Sequence, residues 1–260
     1  MVKQRFGEVA KWTQNRAEAK KLKTAWGIIH FQEFGYIYPL TLCSPDEMVD
    51  IRQAVEQVLE HDPPFGQGRE QSRHLDSRVI YDLCSHPAVV QRMAAIYGPD
   101  LVLWRSNFFI KYLDSKAIPW HQDRNYWPIE PPVNITAWIA IDKAGIENAC
   151  MQFIPGSHRT VVPHIPASGV VFNEMADPDY IDTDKAISII LKPGEFVLFN
   201  ERLVHYSAPN TSTERRIGLA VRVTIPIVKV GHDELFKGHK VIQLCGEDRM
   251  GFNQTSLPPA

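Results

Sequence analysis

Residues 101–113 read LVLWRSNFFIKYL, a run of aliphatic and aromatic residues in which Arg105, Asn107 and Lys111 recur at even spacing. Alternate residues of a strand face opposite sides, so this segment reads as a long strand with one mixed polar face. Four further segments repeat its character: NITAWIAID (134–142), CMQFIPG (150–156), ISIILKPGEFVLFN (187–200) and RIGLAVRVTIPIV (216–228). They are rich in β-branched and aromatic residues and are broken by turn pairs such as Pro155-Gly156 and Pro193-Gly194. No helix of any length alternates with them, which excludes a doubly wound parallel sheet. The reading is mainly β with flanking helices: a double-stranded β-helix, or jelly roll, beside an N-terminal helical layer.

Upstream, the pattern is helical. Ser44-Pro45-Asp46-Glu47 forms a capping box with proline at the first helical position. Met48, Ile51, Val55, Val58 and Leu59 follow as one apolar stripe. A Gly/Pro-rich loop, HDPPFGQGREQSR, leads to a second helix that Ser85 caps, Pro87 enters and Gly98 ends. Residues 1–23 hold seven Lys/Arg and two Glu and read as a basic solvated helix packed by Val9, Trp12 and Leu22. With no repeat or low-complexity tract, residues 1–260 read as a single domain. Its parts are a helical flank (1–98), a jelly-roll core (99–230) and a C-terminal extension (231–260), with His232, His239 and the tail on the surface.

Composition narrows the function classes. The 260 residues are 44% hydrophobic and 22% charged, a globular balance that excludes disorder, collagen-like repeats and coiled coils. A net charge of −2 provides no basic field, so nucleic acid is not an expected partner. No apolar run approaches the length of a membrane span. Four dispersed cysteines (Cys43, Cys84, Cys150, Cys245) exclude zinc ribbons and suit a reduced, cytoplasmic chain. Ten histidines direct attention to metal or acid–base chemistry.

Two stretches read HxD. The first, His74-Leu75-Asp76, falls in a polar loop between helices, where a hydrogen bond or a lid contact suits it better than a metal. The second, His121-Gln122-Asp123, follows the long strand and is flanked by Trp120, Tyr126 and Trp127. His205 comes after a strand–turn–strand that returns the chain to the same barrel mouth. Two histidines and one carboxylate on one face leave open positions on a metal, as in the facial triad of non-haem iron oxygenases. Arg216 opens an otherwise apolar strand, where a guanidinium is costly unless it holds an anion such as a dicarboxylate.

The run HQDRNYWPIEPPVNITAWIAIDKAGIENACMQFIPGSHR, followed by HYSAPNTSTERR, resembles the phytanoyl-CoA dioxygenase superfamily of Fe(II)/2-oxoglutarate oxygenases over residues 73–226. RHLDSRVIYDLCSHP, YGPDLVLWRSNFFIKY and RRIGLAVR resemble in particular the branch of the carrier-protein-dependent amino-acid chlorinases. Those chlorinases carry a small residue in place of the metal carboxylate, which leaves room for halide. Asp123 fills that position here, so the resemblance implies hydroxylation.

By matching position, the resemblance implies His121, Asp123 and His205 as Fe(II) ligands and Arg216 as the partner of the distal 2-oxoglutarate carboxylate. Trp138 and Ser207 match co-substrate pocket positions, Arg222 matches a second arginine near the iron, and Asn107 replaces a substrate-facing polar residue. His158 in PGSH is expected to brace a loop. Strand parity sets Arg105, Asn107, Phe109 and Lys111 on one face. With His74 in a lid and Arg124 beside the triad, they would make the substrate pocket polar and cationic. The expected activity is hydroxylation of an unactivated C–H, consuming 2-oxoglutarate and dioxygen. The expected substrate is a small anionic or zwitterionic metabolite: an amino acid, a phosphonate or phosphate ester, or an aminoacyl group on a carrier protein. Halogenation, desaturation or cyclisation on the same scaffold, and a cupin-like metal protein that is no oxygenase, are the alternatives.

Overall fold

The computed structural model describes residues 26–60 and 68–260. The basic segment 1–23 and part of the Gly/Pro-rich loop lie outside the described residues. Along the chain come α1 (residues 26–34), β1 (Tyr36–Thr41), α2 (Pro45–Glu60), α3 (Arg78–Cys84), α4 (Pro87–Tyr97), β2 (Leu101–Lys111) and β3 (Ile118–His121). They are followed by β4 (Ile129–Glu130), β5 (Ile135–Ala140), β6 (Met151–Phe153), β7 (His164–Pro166), β8 (Glu174–Ala176), β9 (Ile187–Ile189) and β10 (Glu195–Asn200). The last elements are β11 (His205–Ser207), β12 (Arg216–Thr224), β13 (Lys229–Val230), α5 (His232–Leu235) and β14 (Ile242–Cys245).

Two antiparallel sheets face one another. The larger has the order β1-β10-β5-β12-β2-β14 and the smaller β3-β11-β6-β9, the mainly β, jelly-roll arrangement expected from the strand runs. Sequential strands exchange sheets, so a wide strand of one sheet and a short strand of the other meet across the barrel mouth.

Parity divides the larger sheet into two working faces. Ile217, Leu219, Val221 and Val223 of β12 and Ile135, Ala137 and Ile139 of β5 pack outward against the helices. Their partners there include Met48, Val55 and Val58 of α2, Ile80 of α3 and Met93 of α4. The intervening residues, Arg216, Gly218, Ala220 and Arg222 on β12 and Trp138 on β5, turn inward. Because both faces are covered, all nine residues of β12 are buried and the strand reads as nearly continuous apolar sequence. Gly218 is required by this packing: a Cβ there would lie 1.8 Å from Trp138 Cζ2.

The capping box before α2 forms as expected, with Ser44 N–H donating to Glu47 Oε2 at 2.7 Å and Glu47 N–H to Ser44 Oγ at 3.3 Å. Three expectations need correction. Ser85 does not cap α4 but closes the short helix α3; the cap is His86, whose Nδ1 accepts from Ala88 N–H at 3.2 Å. His74 is no lid residue. It lies at 0% exposure in a short 3-10 turn under β2, with Nδ1 2.8 Å from Ser106 Oγ. The tail beyond residue 231 is not a surface appendage either. β14 extends the larger sheet beside β2, Val241 and Ile242 are buried, and His239 is 1% exposed with Nε2 donating to the Trp104 carbonyl at 2.8 Å.

Candidate active site

The centre of the site is built where the two short strands meet. His121 of β3 and His205 of β11 are direct cross-strand partners, and their ring centroids are 4.0 Å apart. Asp123 comes two residues after His121, at the start of a 3-10 turn that swings its carboxylate back toward both rings. Asp123 Oδ1 lies 3.6 Å from His121 Nε2 and 4.0 Å from His205 Nε2. All three residues are buried, and one ligand atom from each lies within 4.8 Å of the others.

Backbone carbonyls fix the tautomers. His121 Nδ1–H donates to Pro119 O at 2.7 Å and His205 Nδ1–H to Leu203 O at 2.9 Å. Each Nε2 is thereby left with a lone pair aimed at the common point, the second-sphere arrangement of metal-binding histidines. Burial, with a smaller repulsion from His121, pulls the His205 pKa down to about 3 and keeps the ring neutral, as ligation needs. Burial alone would raise the Asp123 pKa. The neighbouring Arg222 guanidinium and the two imidazoles facing the carboxylate outweigh it and hold the carboxyl below its ordinary value. Asp123 Oδ2 is buried without a hydrogen-bond partner. Two imidazole lone pairs and an unsatisfied carboxylate oxygen suit a divalent first-row transition metal.

Arg216 stands in the same cavity. Its guanidinium donates to the Ala149 carbonyl and, at 3.1 Å, to Ser207 Oγ, and lies 5.2 Å from the Trp138 ring centroid. Burial lowers its pKa to about 10, so it stays charged near neutral pH, while its Nε has no partner. Trp138 and Ser207, placed here from the sequence, do line this cavity with Arg216. Lys111 was placed by parity and is buried with them, its Nζ donating to the Ser207 and Ala208 carbonyls. Burial, then Arg216, lowers its pKa to about 7.

An outer chamber of about 490 Å³ opens beyond the metal face. Arg105, Asn107, Lys111 and Arg222 line it, as the strand parity requires. Arg105 and Arg222 are directly opposed on β2 and β12 and both donate to Asn107 Oδ1 at 2.9 Å. Arg222 is 5% exposed and covers Trp127, 4.8 Å from its ring centroid. Burial, then the neighbouring Arg222, brings the Arg105 pKa to about 10. His74 and Arg124 do not line either chamber: His74 is sealed behind β2, and the Arg124 backbone turns away to Glu201 O. His158 braces a loop as expected, with Nε2 donating to Gln32 O at 3.1 Å. Sequence reading missed Gln71, which accepts from Arg105 at 2.9 Å, and Phe172, which packs edge-on against His121. Both come from loops without periodicity, so nothing in their local sequence marks them.

Comparison with known proteins gives the family. The phytanoyl-CoA dioxygenase (PhyH) family model matches residues 31–218. Dioxygenase lolE1 of Epichloe uncinata is 31% identical over 135 residues, 52% of this chain and 50% of that protein. A phytanoyl-CoA dioxygenase domain-containing protein 1 homolog of Caenorhabditis elegans is 31% identical over 146 residues, 53% of this chain and 46% of the homolog. The chain thus spans about half the length of the curated relatives it matches. The solved structure of CytC3 with Fe(II) and alpha-ketoglutarate superposes with a TM-score of 0.70 at 26% identity, covering 88% of this chain and 91% of that one. With a family match that runs from the end of α1 into β12 and takes in both histidines, Asp123 and Arg216, the chain belongs to the phytanoyl-CoA dioxygenase family.

Proposed function

We propose that this chain is an Fe(II)- and 2-oxoglutarate-dependent dioxygenase that hydroxylates an unactivated C–H of a small anionic or zwitterionic metabolite. The observation that carries the reading is the shared cavity: a two-histidine, one-carboxylate cluster and a buried, still charged guanidinium line the same walls. A cupin-type metal protein has no use for such a dicarboxylate clamp. When bound, iron and 2-oxoglutarate would activate dioxygen, one oxygen atom entering succinate as carbon dioxide is released and the other being available to hydroxylate the substrate carbon.

The protein's own part is placement. His121, Asp123 and His205 would hold the metal, with Pro119 O and Leu203 O keeping both imidazoles in the ligating tautomer. Arg216 would take the distal carboxylate of the co-substrate, oriented by Ser207 and the face of Trp138. Asp123 keeps a carboxylate where the chlorinase-like branch leaves room for halide, which favours hydroxylation. Arg105 and Arg222 face each other with Asn107 as their shared acceptor, a like-charge pairing that an anionic substrate group would relieve. The helical flank, both sheets and the tail are proposed to act as one catalytic unit.

The test begins anaerobically. Fe(II) plus 2-oxoglutarate should produce a visible charge-transfer band that EDTA abolishes and His205→Ala lacks; a full band in that variant removes His205 from the ligand set. A screen of amino acids, phosphonates, phosphate esters and carrier-bound aminoacyl groups for substrate-dependent succinate release then identifies the substrate class. A product one oxygen heavier supports hydroxylation, and a chlorinated or dehydrogenated product overturns it. A response confined to long-chain acyl thioesters overturns the polar-pocket reading.

A further inference from the structure

The inner and outer chambers share five wall residues: Phe109, Ile118, Asp123, Phe172 and Arg222. They form a neck between the metal face and the cationic outer chamber. Three of them are fixed by the sheets, since Phe109 lies in β2, Ile118 begins β3 and Arg222 lies in β12, and Asp123 opens the short 3-10 turn two residues after β3 ends. Phe172 comes instead from the loop 167–173 that joins β7 to β8.

That loop has a firm base and a lightly held tip. At the base, Gln122 N–H donates to His164 Nε2 at 3.2 Å, Tyr126 Oη–H to Glu174 O at 2.8 Å, and Asn125 Nδ2–H to Glu174 Oε2 at 2.8 Å. These bonds tie the hairpin to the HQD turn itself. The tip is joined to the segment before β3 by Val171 N–H donating to Ala117 O at 3.0 Å. Gly169 supplies a positive φ of 75° near the tip, and the Val171 side chain is 53% exposed. The Phe172 ring sits 4.9 Å from His121, edge-on at 81°, and 4.9 Å from Tyr126. Moving the tip gives up one backbone bond, about 1 kcal/mol, and the two ring contacts of Phe172, whereas moving a strand of the neck breaks a whole ladder.

We infer that Phe172 is the movable wall of the neck and a specificity-determining residue, shielding the His121 edge until a substrate displaces it. The inference rests on the oxygenase reading and deepens it. The substrate must keep its anionic end among Arg105, Lys111 and Arg222 while a compact aliphatic carbon passes between Phe109, Ile118 and Phe172. An anion without an aliphatic arm would fill the outer chamber and stop there.

The experiment compares wild type with Phe172→Ala and Phe172→Leu. In the metal-free protein, diethyl pyrocarbonate labelling followed by peptide mass spectrometry reads access to His121, with the half-buried His86, which lines neither chamber, as the reference. His121 should label about fivefold faster in the alanine variant and by a smaller factor with leucine, as expected when a lid that excludes solvent is shortened. The anaerobic Fe(II)/2-oxoglutarate band should persist in all three proteins. Succinate release without substrate should rise about fivefold in the alanine variant, because closure no longer limits unproductive turnover. Unchanged labelling and unchanged substrate-free succinate, with the band intact, overturn the role of Phe172 while the oxygenase reading stands. A band missing from wild type overturns that reading, and this assignment with it.

Discussion

Arg216 and Arg215 are neighbours in sequence with opposite tasks. Strand parity sends Arg216 into the cavity and Arg215 outward to Asp142, 3.2 Å away, and to Glu56. Arg216 is 1% exposed and its Nε has no hydrogen-bond partner; Arg215 is held in an ion-pair network between β12 and α2. Removing a buried, charge-assisted partner costs on the order of 2–5 kcal/mol. Arg216→Ala should therefore raise the apparent KM for 2-oxoglutarate by at least about 30-fold, and Arg216→Lys should recover only part of it, lacking the planar fork. Arg215→Ala should leave that constant unchanged and lower stability by about 1 kcal/mol or less. Steady-state kinetics on the three variants decides it, and a larger kinetic effect from Arg215 would shift the register of β12 by one residue.

At the scale of elements, β2 is the hinge between fold and site. Its inward residues Arg105, Asn107 and Lys111 line the outer chamber, while Leu101 and Leu103 pack into the helical layer. β12 pairs along one edge of β2; on the other, β14 covers Leu101–Leu103 and the segment around Gln71 bonds to Ser106–Phe108, so the tail protects the start of what would be an open sheet edge. Ile242 of β14 is 1% exposed, and Val241 beside it packs with Trp104 and Val102. Ile242→Ala should then cost about 2–4 kcal/mol in urea unfolding, the range for a buried aliphatic truncation. A loss below about 0.5 kcal/mol would mean that the tail merely rests on the surface.

At the scale of the whole molecule, three buried histidines link folding to pH. Burial lowers His74 and His205 to about 3 and His239 to about 4. Each folded value lies below the ordinary value of about 6.5, so the unfolded chain takes up protons that the folded chain refuses. Their stabilisation is complete above about pH 6.5 and is lost as pH falls toward the folded values. Between about pH 6 and pH 4, the metal-free protein should lose up to about 1.4 kcal/mol per pH unit for each histidine. Urea midpoints measured at several pH values read this slope, and His74→Gln should flatten it. An unchanged slope in that variant would show that His74 titrates normally in the fold.

Much of this molecule was legible in one dimension. The strand runs of residues 101–228 and the capped stripe of α2 follow from periodicities of 2 and 3.6, which local sequence carries. HQD, His205 and Arg216 were legible as well, because ligand chemistry restricts residue type and a charged residue in an apolar strand needs a reason. What tertiary structure alone decided lies where pattern is silent. His74 stands in a polar stretch that reads as a loop, yet it is buried beneath β2 with its ring against Ser106, 32 residues further along the chain. The tail looks polar, yet the free edge of β2 recruits it, since an edge strand's unpaired backbone groups accept any segment that can reach them. Phe172 lies in a loop with no periodicity, and its place in the neck depends on β7 and β8 being anchored to the HQD turn. Residue type and spacing fixed which groups could do the chemistry; long-range pairing of strands and loops decided which of them share a cavity.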